Sequence, residues 1–468
     1  MNLNSTINRI EDLRGVKATV MGLGLNGGGL TSARFLAEAG AEVTVTDMKD
    51  EIALADSIAA LDGLPIRYVL GKHELGDFSG ADLVVKNPAV RPDSPFLCAA
   101  KAVETDISLF LRFTAASVIA VTGSKGKSSV SSAIYHVLSS SGGKAFLGGN
   151  ITVSPLSFIS QCTADTPVVL ELSSWQLADM RGLGVLKPRV AVITSIMPDH
   201  MNRYSSMDEY VADKRLIYAD QDSSCFTICN AEDAWGQSFA TETRGRVLWY
   251  SSEGKAIKGA WLCEGNARFG LYSASGDGAH TEVILPEHLL VPGEHQRKNM
   301  LAAALACRAF GLGAAEIVKA IASFPGVEHR LERFAEQDGI SWYNDSAATI
   351  PQAVSAALAS FNAPIVLITG GTDKNLDFEP VRSAYAAAKA IVLLAGSGTE
   401  KLRALLDEDG VAYVGPFDNL DRAVAEARAR AVKGDIVLLS PGCTSFGMFL
   451  HEFDRGKKFK ETVLALLR

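Results

Sequence analysis

Short apolar runs recur along the chain, each broken by glycine, proline or a polar turn and then followed by an alanine- or serine-rich stretch. Lys17–Met21, Glu42–Asp47, Val84–Lys86, Val118–Val121, Pro167–Leu172 and Val190–Ser195 read as strands, as do Pro364–Thr369, Ala390–Ala395 and Asp435–Ser440 further on. Residues 32–39, 207–218 and 300–310 carry apolar or alanine-rich patterns that predict helices. Strands alternating with helices imply parallel sheets, because a parallel pair needs a crossover connection. Residues 240–285 differ: they are turn-rich, with short β-like runs around Trp249 and Trp261, and predict a small antiparallel excursion.

The stretch Ser117–Val130 carries the most informative turn. Its strand runs into Thr122, Gly123, Ser124, Lys125 and Gly126 before a helix begins near Ser128. Backbone N–H groups at such a turn and helix start point at an anion, Lys127 reaches terminal phosphates, and the Ser128 hydroxyl can sit on Mg²⁺. The pattern predicts a nucleoside triphosphate site. Val121 stands where the usual spacing has its first glycine, so a plain glycine turn stays open.

Near the N-terminus, Gly22, Gly24 and Gly27 follow the first strand, and Asp47 ends the second, within reach of a ribose hydroxyl. That fingerprint fits NAD or any other diphosphate, including that of a nucleotide sugar. The triphosphate-type turn that follows favours the nucleotide sugar. Asn87 lies in a proline loop at the same carboxyl edge, as a contact or as a turn residue.

Glu171 sits in an apolar strand, where a carboxylate is costly unless paired or metal-bound. With His200 it is a candidate Mg²⁺ ligand beside Ser128; capping of a helix by Glu171 and a satisfied loop role for His200 are the alternatives. Lys214 reads as a solvated helix lysine. Asn299 falls one turn after His295 and on the face of Gln296. In the last third, His329 and Arg330 follow a Pro-Gly turn, while Asp345, Thr349, Lys374 and Ser445 lie at strand ends expected to face one cleft.

A length of 468 residues accommodates about three domains. A formal net charge of −8 without any dense basic run argues against a nucleic-acid partner. The sequence has no apolar run of membrane-spanning length, and its first residues lack a signal-peptide layout, so a cytoplasmic protein without membrane insertion is expected. Seven scattered cysteines fit reduced thiols, and Cys225 and Cys229 read as core.

Taken together, Thr122–Ser128, Glu171–Ser174, Asp199–Arg203, His329–Arg330, Asn344–Ser346, Gly370–Lys374 and Ser440–Ser445 resemble the Mur ligase family, in its glutamate-adding branch, over essentially the whole chain. The resemblance implies an α/β fold of three domains: a Rossmann-like domain over 1–106, a central P-loop ATPase-like sheet over 107–326 and a C-terminal Rossmann-like domain over 327–468. It implies an ATP-dependent, amide-bond-forming ligase that adds glutamate, D-glutamate by family default, to UDP-N-acetylmuramoyl-L-alanine through an acyl phosphate. The setting would be peptidoglycan precursor synthesis, with its links to cell wall, cell shape and division, in a monomeric protein.

By the same resemblance Gly123, Ser124, Lys125, Gly126, Lys127, Ser128 and Ser129 bind ATP, with Asn299, Arg330 and Asp345 on the adenine nucleotide. Ser128, Glu171, His200 and a carbamylated Lys214 hold Mg²⁺, and Lys127, His200 and Lys214 are the catalytic set. Gly24, Leu25, Asn26, Asp47, Asn87 and Asn150 bind the UDP substrate, whereas Thr349, Lys374, Ser445 and Phe446 hold the incoming amino acid.

Several positions depart from the family pattern. Lys125, Gln296 and Asn202 replace asparagine, asparagine and aspartate, and Ala347 stands where the D-glutamate enzymes carry a lysine. The run Phe446–Phe453 also differs. An L-glutamate-specific variant and a folylpolyglutamate synthase-like ligase are therefore alternatives, with a dehydrogenase and a noncatalytic nucleotide-binding regulator as rivals from other classes.

Overall fold

A computed structural model describes residues 7–24, 28–151, 153–199, 201, 203–253, 258–263, 266–270 and 281–467. Two compact units are present, Met1–Glu287 with Lys298–Ile321, and His288–Arg297 with Ala322–Arg468. The described residues form three sheets, two in the first unit and one in the second.

The first sheet contains β1 (Lys17–Met21), β2 (Glu42–Asp47), β3 (Ile66–Leu70), β4 (Leu83–Lys86) and β5 (Val103–Glu104), all parallel in the order 3-2-1-4-5. The helix Gly28–Glu38 crosses between β1 and β2 and buries Ala33, Leu36 and Ala37. The order reverses beside β1, which puts the glycine turn after β1 and the loop after β4 at the switch point where α/β sheets bind ligands.

The second sheet has β6 (Ser117–Thr122), β7 (Phe146–Gly149), β8 (Pro167–Glu171), β9 (Val190–Ile193), β10 (Phe226–Asn230), β11 (Arg246–Ser251), β12 (Gly259–Cys263), β13 (Asn266–Gly270) and β14 (Thr281–Val283). Its order is 14-13-12-11-10-9-6-8-7. The antiparallel excursion is real but smaller than expected. Among the described residues the antiparallel pairs are β12–β13 and β13–β14, while the Trp249 strand β11 pairs parallel with both neighbours. The helix predicted over 300–310 starts earlier, at Glu294, because its first turn is polar and hides the apolar period.

The third sheet runs β15 (Glu332–Gln337), β16 (Ile340–Asn344), β20 (Ile436–Leu439), β17 (Ile365–Thr369), β18 (Ala390–Leu394), β19 (Val414–Phe417), with β15 alone antiparallel to its neighbour. Tyr343, Leu367, Leu393 and Leu438 pack in one core layer, and Trp342, Val366, Val392 and Val437 in the layer on the other face. Burial on both faces explains the unbroken apolar runs, each such side chain contributing about 1.5–3 kcal/mol. Among the described residues no helix is long and apolar enough to cross a membrane. Cys225 and Cys229 are buried free thiols.

Candidate active site

β6 and β9 pair in register and end side by side, so the turn after β6 forms at the carboxyl edge of the second sheet. The helix Lys127–Ser140 starts there with Gly126 as its N-cap (φ 90°) and no side-chain cap. A Cβ at Gly123 would lie 1.8 Å from Thr194 Oγ1, and one at Gly126 would lie 2.5 Å from Asn299 Oδ1. Both positions therefore need glycine, and Asn299 is packed directly on the turn. The N–H groups of Ser124 and Lys125 donate to Ser195 O at 2.8 and 3.4 Å, so they do not face an anion. The amides of Ser128 and Ser129, in the first helical turn, have no acceptor within the helix. The Ser124 hydroxyl is also committed: it donates to Met197 O at 2.8 Å and lies 2.9 Å from the Tyr210 hydroxyl. Lys125 reaches outward, 3.9 Å from Asp199.

Lys127 Nζ donates to Gly123 O at 2.9 Å and Ser124 O at 3.0 Å. Lys214 Nζ donates to the same Gly123 O at 2.9 Å. Lys214 is 2% exposed and lies over the Tyr210 ring at 4.5 Å, which overturns its reading as a solvated helix lysine. Burial, then the charge of Lys127, push its pKa down to about 7 against the pull of Asp199 and Asp213. Its helix, Met207–Lys214, is anchored because Asp213 accepts from Arg181 at 2.6 Å and from the Tyr204 hydroxyl at 2.8 Å.

Glu171 ends β8 in register with Val121, at the root of the turn, and is 1% exposed. It does not cap the next helix, whose N-terminus is closed by Ser173 and Gln176. Its carboxylate accepts from Asn150 Nδ2 at 3.1 Å and from Ser131 Oγ at 3.4 Å. Ser131 lies one turn after Ser128 and donates to Ser128 O. A buried carboxylate with only neutral described partners is the donor chemistry that suits a divalent cation. His200 and Asn202 lie outside the described residues.

A cavity of about 230 Å³ in the first unit is lined by Gly22, Lys86, Asn87, Asp106, Asn150 and Gln176, among others. Asn87 is where the strand pattern puts it, and Asn150 links this cavity to Glu171. Asp47 closes its own glycine turn, accepting from Leu23 N–H at 2.9 Å, Gly24 N–H at 3.2 Å and Lys49 N–H at 2.9 Å. Leu25 and Asn26 lie outside the described residues. Lys86, Asp106 and Gln176 escaped the reading of the sequence. Burial pushes the Asp106 carboxyl upward, and Lys86 is fully inside, 2.8 Å from Asp179. Nothing in their spacing marks them; only the turn chemistry around them does.

In the second unit Lys374 Nζ donates to Thr349 Oγ1 at 3.4 Å, bringing two of the expected amino-acid contacts together. Thr372 and Thr444 exchange backbone hydrogen bonds and so seat Ser445 and Phe446 beside the Lys374 loop; Ser445 is buried and Phe446 exposed. Asp345 accepts from Ser440 Oγ at 2.8 Å and Leu331 N–H at 3.2 Å. Burial pushes its pKa up to about 7, with Arg330 and Arg455 opposing. His329 and Leu331 flank Arg330 at φ 64° and 45°, a left-handed conformation that is strained for such residues. Arg455, buried against Ser346 and Cys443, was not foreseen.

The chain matches a MurD-like N-terminal domain over residues 16–108, the Mur ligase middle domain over 121–307 and the Mur ligase glutamate ligase domain over 329–443. It is 40% identical to a UDP-N-acetylmuramoylalanine–D-glutamate ligase of Treponema pallidum (strain Nichols), covering 96% of this chain and 98% of that one. The chain belongs to the Mur ligase family. A second relative of the same description, from Roseiflexus sp. (strain RS-1), is 42% identical over 96% of this chain and 99% of its own. The three-sheet Mur ligase fold is shared with the MurC ligase of Thermotoga maritima, at a TM-score of 0.58, 20% identity and coverage of 96% and 100%. A MurF ligase of the same organism, solved with ADP, gives 0.55 at 16% identity, with coverage of 99% and 100%.

Proposed function

We propose that this Mur ligase joins D-glutamate to the terminal carboxylate of UDP-N-acetylmuramoyl-L-alanine with consumption of ATP, in peptidoglycan precursor synthesis. The observation that carries the reading is the convergence of Lys127 and Lys214 on Gly123 O, at the turn whose root holds the buried Glu171 carboxylate. Full-length relatives described as D-glutamate ligases support the D stereochemistry over the L variant and over a folylpolyglutamate-type acceptor.

In this reading a carboxylate oxygen of the substrate takes the γ-phosphoryl group of ATP, breaking its bond to ADP. The glutamate amine then forms the C–N bond as the C–O bond to phosphate breaks and the nitrogen sheds a proton. Lys127 Nζ, with the amides of Ser128 and Ser129, balances phosphoryl charge in a dry pocket, where such contacts are worth most. Gly123, Ser124, Lys125 and Gly126 shape that turn, and Asn299, Arg330 and Asp345 take the adenine nucleotide. Ser128, Glu171, His200 and a carbamate on Lys214 would hold Mg²⁺, which supplies Lewis-acid charge at the phosphates when bound. A Lys214 amine with a pKa near 7 is partly neutral at neutral pH, the form able to take up CO₂.

The UDP substrate is assigned to Gly24, Leu25, Asn26, Asp47, Asn87 and Asn150, joined by Lys86, Asp106 and Gln176 from the same cavity. Asp47 would act by shaping the turn. The acceptor is assigned to Thr349, Lys374, Ser445 and Phe446. Domains over 1–106, 107–326 and 327–468 would divide the work, in a monomeric cytoplasmic enzyme whose loss would affect cell shape and division. Phosphate release that requires ATP, UDP-N-acetylmuramoyl-L-alanine and D-glutamate together tests the proposal. Turnover with L-glutamate alone would move the assignment to the L variant, and no turnover with either would overturn it.

A further inference from the structure

Arg455 lies in the helix Glu452–Leu466 and is 1% exposed, yet it makes no contact with any described carboxylate. Its Nε and Nη2 fork onto one residue, donating to Ser346 Oγ at 2.9 Å and Ser346 O at 2.8 Å. Nη1 donates to Cys443 O at 3.2 Å. All three acceptors are neutral. No described carboxylate lies within ion-pair distance; the charges of Glu452 and Asp345 act only from further off, so with the three neutral acceptors they offset only part of the cost of desolvating the cation. Burial pushes its pKa down to about 10, so the group is still a cation at neutral pH.

The two segments it ties together are the ones that matter for the acceptor. Ser346 belongs to the turn running from Asp345 to Thr349, and Thr349 takes a hydrogen bond from Lys374. Cys443 leads into Thr444, Ser445 and Phe446, of which Thr444 and Phe446 are hydrogen-bonded to Thr372. The same guanidinium lines a small cleft with Gly370, Gly371, Ser445 and Phe446.

Resting on the function proposed above, we infer that Arg455 is a positioning residue for the acceptor amino acid: it locks the Ser346 and Cys443 segments together and gives the cleft between them the positive charge that selects an acidic side chain. Glutamate brings one more carboxylate than glutamine, and a fixed cation in a dry surrounding discriminates between them. A purely structural staple would not.

The test is steady-state phosphate release by the full-length enzyme with D-glutamate or D-glutamine varied at saturating ATP and UDP-N-acetylmuramoyl-L-alanine. Arg455→Met should raise the KM for glutamate about tenfold and cut the glutamate-to-glutamine preference by a similar factor, with the KM for ATP changed less than about twofold. Arg455→Lys keeps the charge without the fork, so the preference should persist while kcat falls. A folded Arg455→Met enzyme with the parental preference, or one whose KM for ATP rises in step with that for glutamate, overturns the inference. Should Arg455→Met fail to fold, Arg455→Lys decides, since loss of preference with the charge retained also overturns it. A parent enzyme silent with glutamate would bring down the function and this inference together; an active parent with an unaltered variant would bring down this inference alone.

Discussion

Lys127 and Lys214, from two different helices, donate to one oxygen, the carbonyl of Gly123, at 2.9 Å each. Burial first, and repulsion from the Lys127 ammonium second, bring the Lys214 pKa down to about 7. The shared carbonyl and the charges of Asp199 and Asp213 oppose that fall, and Lys214 is left as the amine that can lose its proton.

From this follows the first prediction. Lys214→Ala should lower turnover by at least about 100-fold if a carbamate there serves the metal, and a short-chain carboxylate added to the assay should restore part of it. Lys214→Arg, which cannot be neutral, should be as impaired and should gain nothing from bicarbonate. Turnover left intact in Lys214→Ala would remove the carbamate from the scheme.

Glu171 supplies a second prediction, with stability and activity moving in opposite directions. Its carboxylate is buried with two neutral donors, Asn150 and Ser131, so the metal-free protein carries its charge at a cost. Glu171→Gln keeps an acceptor for Asn150 and removes that charge. The half-saturating Mg²⁺ concentration for turnover should rise about tenfold, while the melting temperature in chelator should stay level or increase. An unchanged Mg²⁺ dependence would take Glu171 out of the metal site.

The strand ends that frame both residues were legible because both faces of the sheets are covered, which writes Val118–Val121 and Pro167–Leu170 as unbroken apolar runs. Strands that break that rule were not legible. Glu332–Gln337 is polar at the sheet edge, Val414–Phe417 contains a Gly-Pro pair, and Phe146–Gly149 ends in two glycines. Side-chain fates set by distant segments were equally hidden. Lys214 sits on a helix whose own pattern says solvent, and only the turn at Gly123 and the Tyr210 ring bury it. The hydroxyl of Ser124 looked free for a ligand until Met197 and Tyr210 closed on it.

Asp345 gives a pH prediction. Its carboxyl is pushed up from 3.8 to about 7, so the folded protein holds a proton there that the unfolded chain has already lost between those values. Stability from this group is therefore greatest at low pH and declines as pH rises through about 7. Asp345→Asn removes the effect. Melting temperatures of parent and variant should be closest near pH 5 and diverge in favour of the variant toward pH 8. A parallel pair of curves would mean that Asp345 is ionised throughout and offset by Arg330 and Arg455.

Lys86 and Asp179 form an ion pair at 2.8 Å with side chains 3% and 5% exposed, joining β4 of the first sheet to the helix Ser174–Asp179 beside the second. Burial still raises the Asp179 carboxyl despite the lysine, so desolvation outweighs much of the attraction. Removing one partner strands the other: Asp179→Ala leaves Lys86 with the Val90 carbonyl, its one other acceptor among the described residues, and should cost about 3–5 kcal/mol in denaturant unfolding. Replacing both, as Lys86→Met with Asp179→Leu, exchanges two desolvated charges for apolar contact of similar volume and should recover most of that loss. If the double variant is as unstable as the single one, the pair contributes attraction beyond its desolvation cost, and the two sheets of the first unit are held by charge rather than by packing around it.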